Sequence, residues 1–552
     1  MSDSKTTTRT TGVKGADVWE STCSALLDYS IGAVRGASDK TILKILDVND
    51  PAMAFVLAFH VRNVRGGKGE RDIFKRTMAA LYTLYPALTL DLLDLVPHYG
   101  SWCDLFDMAL IFPQFRKRIL NLAASQLLTD ELTPVGKPIS LCAKWAPRER
   151  KESPDAEILK QLSVILFADI PSHSTRMAMY RRLVAGLNRR LKTVETFMSG
   201  GLWSDIQPAT IPGRAGKIYS RAFLNLKSTF QRFNNQERLV LRKPNDVDRM
   251  TCREHFIKYF ADAAAGKTSI NGADTLFPHE IIRKALACNL APEEKDQLVA
   301  IWNSLVAKIK AAGTCLEDCE VMCDFSGSMR FHDGTPFFVS IALGILISEV
   351  TGKNRILTFD SEPQWHYFPE GDLLVKLGSI SHYLGQGLST NFQKAYNLIV
   401  EDKKRKPLTT VPSFVLVLTD MNFDAACGSE SGYRHHFKTA PVQTHAEMAK
   451  ETFRRLSEDM YGNPDALKAP VLGIWNLSPN PTDIQATVDE EGVVLLSGWS
   501  PTQFNILQQE GLKAVTPFEL LKKELEAAQY DLLRERIQSA TPTFVSDRMI
   551  CT

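Results

Sequence analysis

No uncharged apolar run in this 552-residue chain is long enough to cross a membrane. The longest, Gly334 to Ser348, is shorter than the roughly 20 residues a spanning helix needs and is edged by His332, Asp333 and Glu349. The first residues, MSDSKTTTRTTG, are polar and lack the apolar core of a secretory leader, so residues 1–15 read as a flexible tail and the protein as non-secreted, with no membrane partner. Cysteines are few for the length: ten, dispersed, with only Cys315, Cys319 and Cys323 close together. Their spacing of four differs from the tight pairs of zinc knuckles, which leaves free, mostly buried thiols in a reducing, cytoplasmic setting.

Catalytic signatures are also missing. There is no GxSxG, no HExxH and no dinucleotide fingerprint, and the eleven histidines offer no ligand pair beyond the adjacent His435 and His436. The segment AAAGKTS, Ala263 to Ser269, imitates a phosphate-binding loop, but Ala261 stands where the motif requires glycine and the preceding segment reads as helix. These absences argue against an enzyme and against a nucleotide cofactor.

What is present is a globular composition, 44% hydrophobic and 23% charged, in a chain long enough for two to four domains. The net charge of +2 conceals a division. Residues 1–316 hold 44 Lys and Arg against 32 Asp and Glu, whereas the remainder holds 21 against 31. The excess concentrates between Arg176 and Lys258, where Arg181, Arg182, Arg189, Arg190 and Lys192 are candidates for contact with RNA phosphates. The alternative is a solvated basic face docked on an acidic protein surface.

From Ala16 to Ala312 apolar residues recur at helical spacing in many short segments, among them TILKILDV, AMAFVLAFHVRNV and FRKRILNLAASQLL. Residues 16–312 are therefore expected to form an irregular all-α, helical-repeat-like region. After Gly313 short β-type runs (EVMCD, RILTF, SFVLVLTD, PVLGIWNL, GVVLLSGW) alternate with helical stretches, which predicts a doubly wound α/β domain over residues 318–552. EPQWHYF follows RILTFDS too closely for a crossover helix and should be an antiparallel edge strand.

The first of these strands runs into Asp324-Phe325-Ser326-Gly327-Ser328. A carboxylate and two hydroxyls at alternate positions of a strand-end loop suit one hard cation, Mg²⁺ or Mn²⁺. The hydroxyl loop at Ser389 and Thr390, and Asp420 at the end of FVLVLTD, fall at the same carboxyl edge, where open α/β sheets bind ligands. Helix capping by Ser326 and Ser328 is the plainer alternative. Asp360 and Glu362 read as turn residues, and Asp424 as a turn residue or a further oxygen ligand at the rim.

Asp324 to Ser328 together with Thr390 and Asp420 resemble the metal-ion-dependent adhesion site of von Willebrand factor A domains. The resemblance implies Ser326, Ser328 and Thr390 as near or direct ligands and Asp324 and Asp420 as ligands directly or through water. It implies capture of an acidic partner by the bound ion. Over almost the whole chain, Arg62 to Asp72 (RNVRGGKGERD), His98 to Leu105 (HYGSWCDL), Ala143 to Pro147 (AKWAP), DFSGSM, LTDMNFDAA and IWNL resemble the DUF2828 family, whose helical region precedes an A-like domain. In layout that family is similar to the TROVE-module Ro ribonucleoproteins, which implies RNA as a partner, by architecture alone. Arg62, Arg65 and Lys68 then become candidate anion-binding residues of a glycine-rich loop, or parts of a sharp helix–helix turn. Lys144 with Trp145 is a candidate stacking platform, or Trp145 a core residue. The expected function is a non-catalytic, Ro-like RNA-binding scaffold with metal-dependent partner capture. The alternative is a protein–protein adaptor without RNA.

Overall fold

In the computed structural model, residues 7–149, 154–227, 231–233, 236–238, 240–287, 290–311, 318–330, 333–359, 362–380, 391–407, 410–423, 444–481, 483–503 and 516–548 are described. They divide into two compact units. One comprises Met1–Asn49, Gly66–Lys68 and Phe260–Ala527, the other Asp50–Arg65, Gly69–Tyr259 and Ala528–Thr552.

The second unit is helical. Its first helix, Pro51–Arg62, starts where the Asp50 carboxylate accepts from the amides of Ala52 and Met53 and Pro51 brings a φ already suited to helix. Consecutive helices pack in pairs: Pro51–Arg62 on Arg71–Leu84, Trp102–Ile111 on Pro113–Leu132, and Ala156–Leu166 on His173–Leu191. The first pair is joined by RNVRGGKGERD, with Gly69 at φ +72° and Asp72 in the first turn of the second helix. This segment is thus a helix–helix turn. Beneath it Asp104 is fully buried: its Oδ2 accepts from Arg62 Nε at 2.9 Å, Arg62 Nη2 at 2.7 Å and the Ser101 amide at 2.8 Å, while Arg71 Nε lies 2.7 Å from Oδ1. Arg62 is itself buried, the Ser101 hydroxyl also donates to Oδ2 at 3.0 Å, and Asp104 ties two helix pairs together.

Residues Ala528–Thr552 group with this unit. Tyr530 stacks on Tyr99 with centroids 5.7 Å apart, its hydroxyl lies 3.0 Å from His60 Nδ1 and accepts from Asn63 Nδ2 at 3.2 Å, and Arg536 reaches Asp94 at 2.9 Å. A reading by segment texture misses this because nothing local marks a helix as belonging to a partner more than four hundred residues away.

The first unit is built on a six-stranded sheet: β1 (Cys319–Asp324), β2 (Arg355–Phe359), β3 (Gln364–Tyr367), β4 (Phe414–Thr419), β5 (Val471–Asn476) and β6 (Val493–Ser497). The strand order is β6-β5-β4-β1-β2-β3, parallel except for β3, which pairs antiparallel with β2 at the edge as its short connection requires. β1 and β4 are buried along their whole length, β4 as an apolar run and β1 with the buried Glu320 paired to Lys353 and Arg355. The apolar segment near Gly334 is the helix Thr335–Thr351, packed on β1 so closely that a Cβ at Gly344 would lie 2.5 Å from Cys323 Sγ. Its nearly all-round burial explains its hydrophobicity, and among the described residues no helix is long and apolar enough to cross a membrane.

Residues on the amino side of the sheet also belong to this unit. Of the expected tail, residues 1–6 lie outside the described residues, but Arg9–Thr11 pairs antiparallel with Asp17–Trp19, and the Trp19 amide donates to the Ile484 carbonyl at 2.8 Å. Residues 9–15 are therefore a hairpin and not a floppy tail, because Val18 and Trp19 supply apolar surface for one strand and Gly15, at φ +89°, allows the turn. The helix Pro292–Ala311 belongs here as well, with Trp302 Nε1 donating to Glu349 Oε2 at 3.1 Å.

Asp104→Ala leaves the Arg62 guanidinium buried without its counter-charge, and is expected to lower stability by about 3–5 kcal/mol. Urea unfolding should show this as a lower midpoint for the transition of the helical unit.

Candidate functional site

The register between β1 and β4 pairs Cys323 with Leu418, so the next residues in line, Asp324 and Thr419, project to the same face at the carboxyl edge. There Thr419 Oγ1 donates to Asp324 Oδ2 at 2.8 Å and accepts from the Met421 amide at 3.1 Å. Met421 has φ +65°, a left-handed turn that bends the chain sharply after Asp420. Asp420 Oδ1 accepts from the Asn422 amide at 3.0 Å. On the β1 side, Asp324 Oδ1 accepts from the Ser326 amide at 2.9 Å, and Ser326 Oγ lies 3.0 Å from Ser328 Oγ. Strand order reverses between β1 and β4, since β1 leads to β2 on one side and the chain resumes at β4 on the other. The cluster therefore occupies the topological switch point of the sheet.

Asp324, Ser326 and Asp420 are buried, and Ser328 is half-buried at the mouth. Burial pushes the Asp324 carboxyl up to about 7, and the charge of Asp420 adds to that rise against the donors from Ser326 and Thr419. Two carboxylates and two hydroxyls, all oxygen, with electrostatic strain between the acids, form a donor set that fits a hard divalent cation. Among the described residues no group of three or more His, Cys, Asp or Glu side chains that could hold a metal ion is found. Thr390 and Asp424 lie outside the described residues, as do Asp360 and the His435-His436 pair. Glu362 is an exposed turn residue paired with Lys394 at 2.7 Å. Cys319 and Cys323 are buried in β1, where desolvation drives both thiols far up, away from the reactive thiolate.

Sequence reasoning placed Asp324, Ser326, Ser328 and Asp420 at one edge; hydrogen bonds link the first three, and Asp420 follows the end of β4 with its charge acting on Asp324. It missed Thr419, whose signal was the parallel register itself, and Lys14, whose Nζ lies 3.3 Å from Ser328 Oγ.

The candidate RNA residues separate into two kinds. Arg62 is consumed by Asp104, and Lys68 is fully buried in the α/β unit, donating to the Ser30 carbonyl and to Ser497 Oγ at 2.6 Å. Arg190 donates to the carbonyls of Asp130 and Thr133, each at 2.7 Å, and so fastens the end of one helix to another. These three cations are committed internally. Arg181, Arg182, Arg189 and Lys192 are exposed or half-exposed, with Arg181 also pairing with Glu149. Arg65 is exposed and donates to the His98 carbonyl at 2.8 Å. Lys144 lies 3.5 Å from Glu195, and its Nζ stands 5.8 Å from the centre of Trp145, which is 40% exposed and not a core residue.

Residues 318–548, which contain all six strands of the sheet, match the family described as a domain of unknown function, DUF7788. Over 520 residues the chain is 26% identical to the uncharacterized protein L728 of Acanthamoeba polyphaga mimivirus, spanning 88% of this chain and 82% of that protein. Among solved structures it is similar to the RO (RSR) protein of Deinococcus radiodurans at 12% identity and a TM-score of 0.32, over 92% of this chain and 99% of that one.

Thr419→Val keeps the shape of the β4 end but removes the donor to Asp324. Manganese binding, read by the decrease of the free-ion electron paramagnetic resonance signal, should weaken by about 10–100-fold with little change in melting temperature. Unchanged binding would show that Thr419 does not orient Asp324 for a metal.

Proposed function

We propose that the protein is a non-catalytic scaffold that binds RNA through its helical unit and captures an acidic group of a second partner at the switch point of its α/β unit. The observation that carries this reading is the hydrogen-bonded cluster of Asp324, Ser326, Ser328 and Thr419 at the carboxyl edge of adjacent parallel strands, with the charge of Asp420 acting on Asp324 from the end of β4. A divalent ion, Mg²⁺ or Mn²⁺, supplies an open coordination position there for an outside carboxylate or phosphate oxygen. The chain's own residues divide the work. Asp324 and Asp420 contribute negative charge, Ser326 and Ser328 contribute neutral oxygens, and Thr419 fixes the rotamer of Asp324. Membership of Thr390 in the same set, Asp424 at its rim, and the likeness to von Willebrand A and DUF2828 proteins belong to this proposal.

The RNA component is favoured by a separate observation. When charges are counted by compact unit, the helical unit holds 34 Lys and Arg against 23 Asp and Glu, and the α/β unit 31 against 40. The basic excess therefore belongs to one folded body. Part of it is on the surface, along the helix His173–Leu191, where Arg181, Arg182 and Arg189 reach solvent. Exposed guanidinium groups bind phosphates irrespective of sequence and release counterions in doing so.

In filter binding, affinity for single-stranded RNA should fall steeply between about 50 and 200 mM salt. Reversing Arg181, Arg182 and Arg189 to Glu should weaken it and lower the salt slope by about one for each phosphate that is no longer neutralised. Asp324→Ala should leave RNA binding intact and abolish EDTA-sensitive capture of an acidic partner. Such capture with no RNA bound at any salt concentration would replace the scaffold by a protein adaptor.

A further inference from the structure

The amino-terminal hairpin brings a cation of the chain's own to the candidate metal site. Lys14 lies in the turn between Arg9–Thr11 and Asp17–Trp19, and its Nζ donates to Ser328 Oγ at 3.3 Å. From there the contacts run inward without a break, from Ser328 Oγ to Ser326 Oγ at 3.0 Å and from the Ser326 amide to Asp324 at 2.9 Å. The hairpin is not a loose arm. The Val13 amide donates to Asp483 Oδ1 at 3.2 Å, a Cβ at Gly12 would strike the same carboxylate at 2.4 Å, and the Trp19 amide holds the Ile484 carbonyl. Arg9 pairs with Glu447, the residue that closes the capping box of the helix His445–Tyr461, and its guanidinium covers the Trp19 ring at 4.8 Å. The turn is thus anchored to segments that follow β4 and β5, and the flexible stem of Lys14 extends from this anchor to the cluster mouth.

We propose that Lys14 is a tethered competitor of the divalent ion: its ammonium occupies the mouth of the Asp324–Ser326–Ser328–Asp420 cluster, and metal uptake requires it to withdraw. This rests on the metal reading of the cluster given above. The chemistry is direct. An ammonium is a compact positive charge with three donors and no lone pair, so it compensates the acids without being able to ligate. The Ser328 hydroxyl cannot point the same lone pair at both Lys14 and a metal, and two cations a few ångströms apart repel. Lys14 is not fully buried, so the withdrawn ammonium is readily solvated. An internal cation of this kind keeps the empty site from attracting stray ions and gives the hairpin control over when the site loads.

The test uses the full chain and Mn²⁺ alone, titrated against the wild type, Lys14→Gln, Lys14→Arg and Asp324→Asn, with the free-ion paramagnetic signal as readout. Lys14→Gln should tighten Mn²⁺ binding by about tenfold, and Lys14→Arg, which keeps the charge, should stay near the wild type. Saturating Mn²⁺ should also speed amide hydrogen exchange at Gly12, whose amide donates to the Ala16 carbonyl at 2.7 Å, in the wild type but not in Lys14→Gln. Equal Mn²⁺ affinity in wild type and Lys14→Gln, with binding abolished in Asp324→Asn, would overturn the competitor role and leave the metal site standing. No Mn²⁺ binding by the wild type or by Lys14→Gln would remove the metal reading and the competitor together.

Discussion

Two acids, Asp324 and Asp420, end neighbouring parallel strands below the surface, and the need to compensate them organises that whole edge of the sheet. A buried carboxylate must be protonated, receive donors or face a cation, because desolvation without compensation is prohibitive. The chain applies the second remedy only in part. Asp324 receives the Ser326 amide and the Thr419 hydroxyl, and Asp420 receives the Asn422 amide. The raised Asp324 carboxyl shows that these donors do not cancel burial and the neighbouring charge. A proton or a cation can meet what remains, and the Lys14 ammonium donates to Ser328 beside these acids.

The geometry that creates this demand is imposed by the sheet. Parallel strands side by side expose their carboxyl ends together, and the β1–β4 pair lies at the point where the winding changes direction, leaving no crossover helix over the gap. β1 and β4 are held by apolar contacts along their length, and the helix Thr335–Thr351 presses on β1 at Gly344. The strand ends are therefore closely packed, and the turn at Met421 sets where Asp420 stands. Such packing converts a local electrostatic conflict into a binding potential for cations.

Much of this was legible in the sequence, for identifiable reasons. Uninterrupted β-branched and aliphatic runs announced buried parallel strands, and the short RILTF to QWHY connection announced the antiparallel edge. Asp324, Ser326 and Ser328 were readable because their alternation is local, and Asp420 because it ends such a run. Long-range pairings were not readable. Lys68, in a glycine-rich and highly charged loop, looks like a surface cation, yet it is buried against Ser30 and Ser497. Arg62 looks the same and is enclosed with Asp104. Composition cannot tell a paired internal charge from a solvated one, since both residues have the same local neighbours in sequence. The hairpin at Arg9–Thr11 and the returning Tyr530 were hidden for the same reason: what anchors them lies hundreds of residues away.

That distinction also reshapes the basic surface. Arg62 and Arg190 count toward the charge of the helical unit, but their guanidinium groups are spent on Asp104 and on main-chain carbonyls, so they add to the long-range field and little to direct contact. The contact-forming charge is narrower. Along His173–Leu191, at about 100° per residue, Arg181, Arg182 and Arg189 fall within about 100° of arc, beside the buried stripe of Met177, Tyr180, Val184, Leu187 and Asn188. Arg182 and Arg189 are two turns apart on one row, roughly 10 Å along the axis. A helix that buries one stripe and aligns its exposed guanidinium groups on another presents an extended line of charge, and such a line matches a polyanionic backbone better than a single acidic side chain. The two units thus differ in kind: one sets exposed guanidinium groups along a helix, and the other gathers buried acids and hydroxyls at the end of two parallel strands.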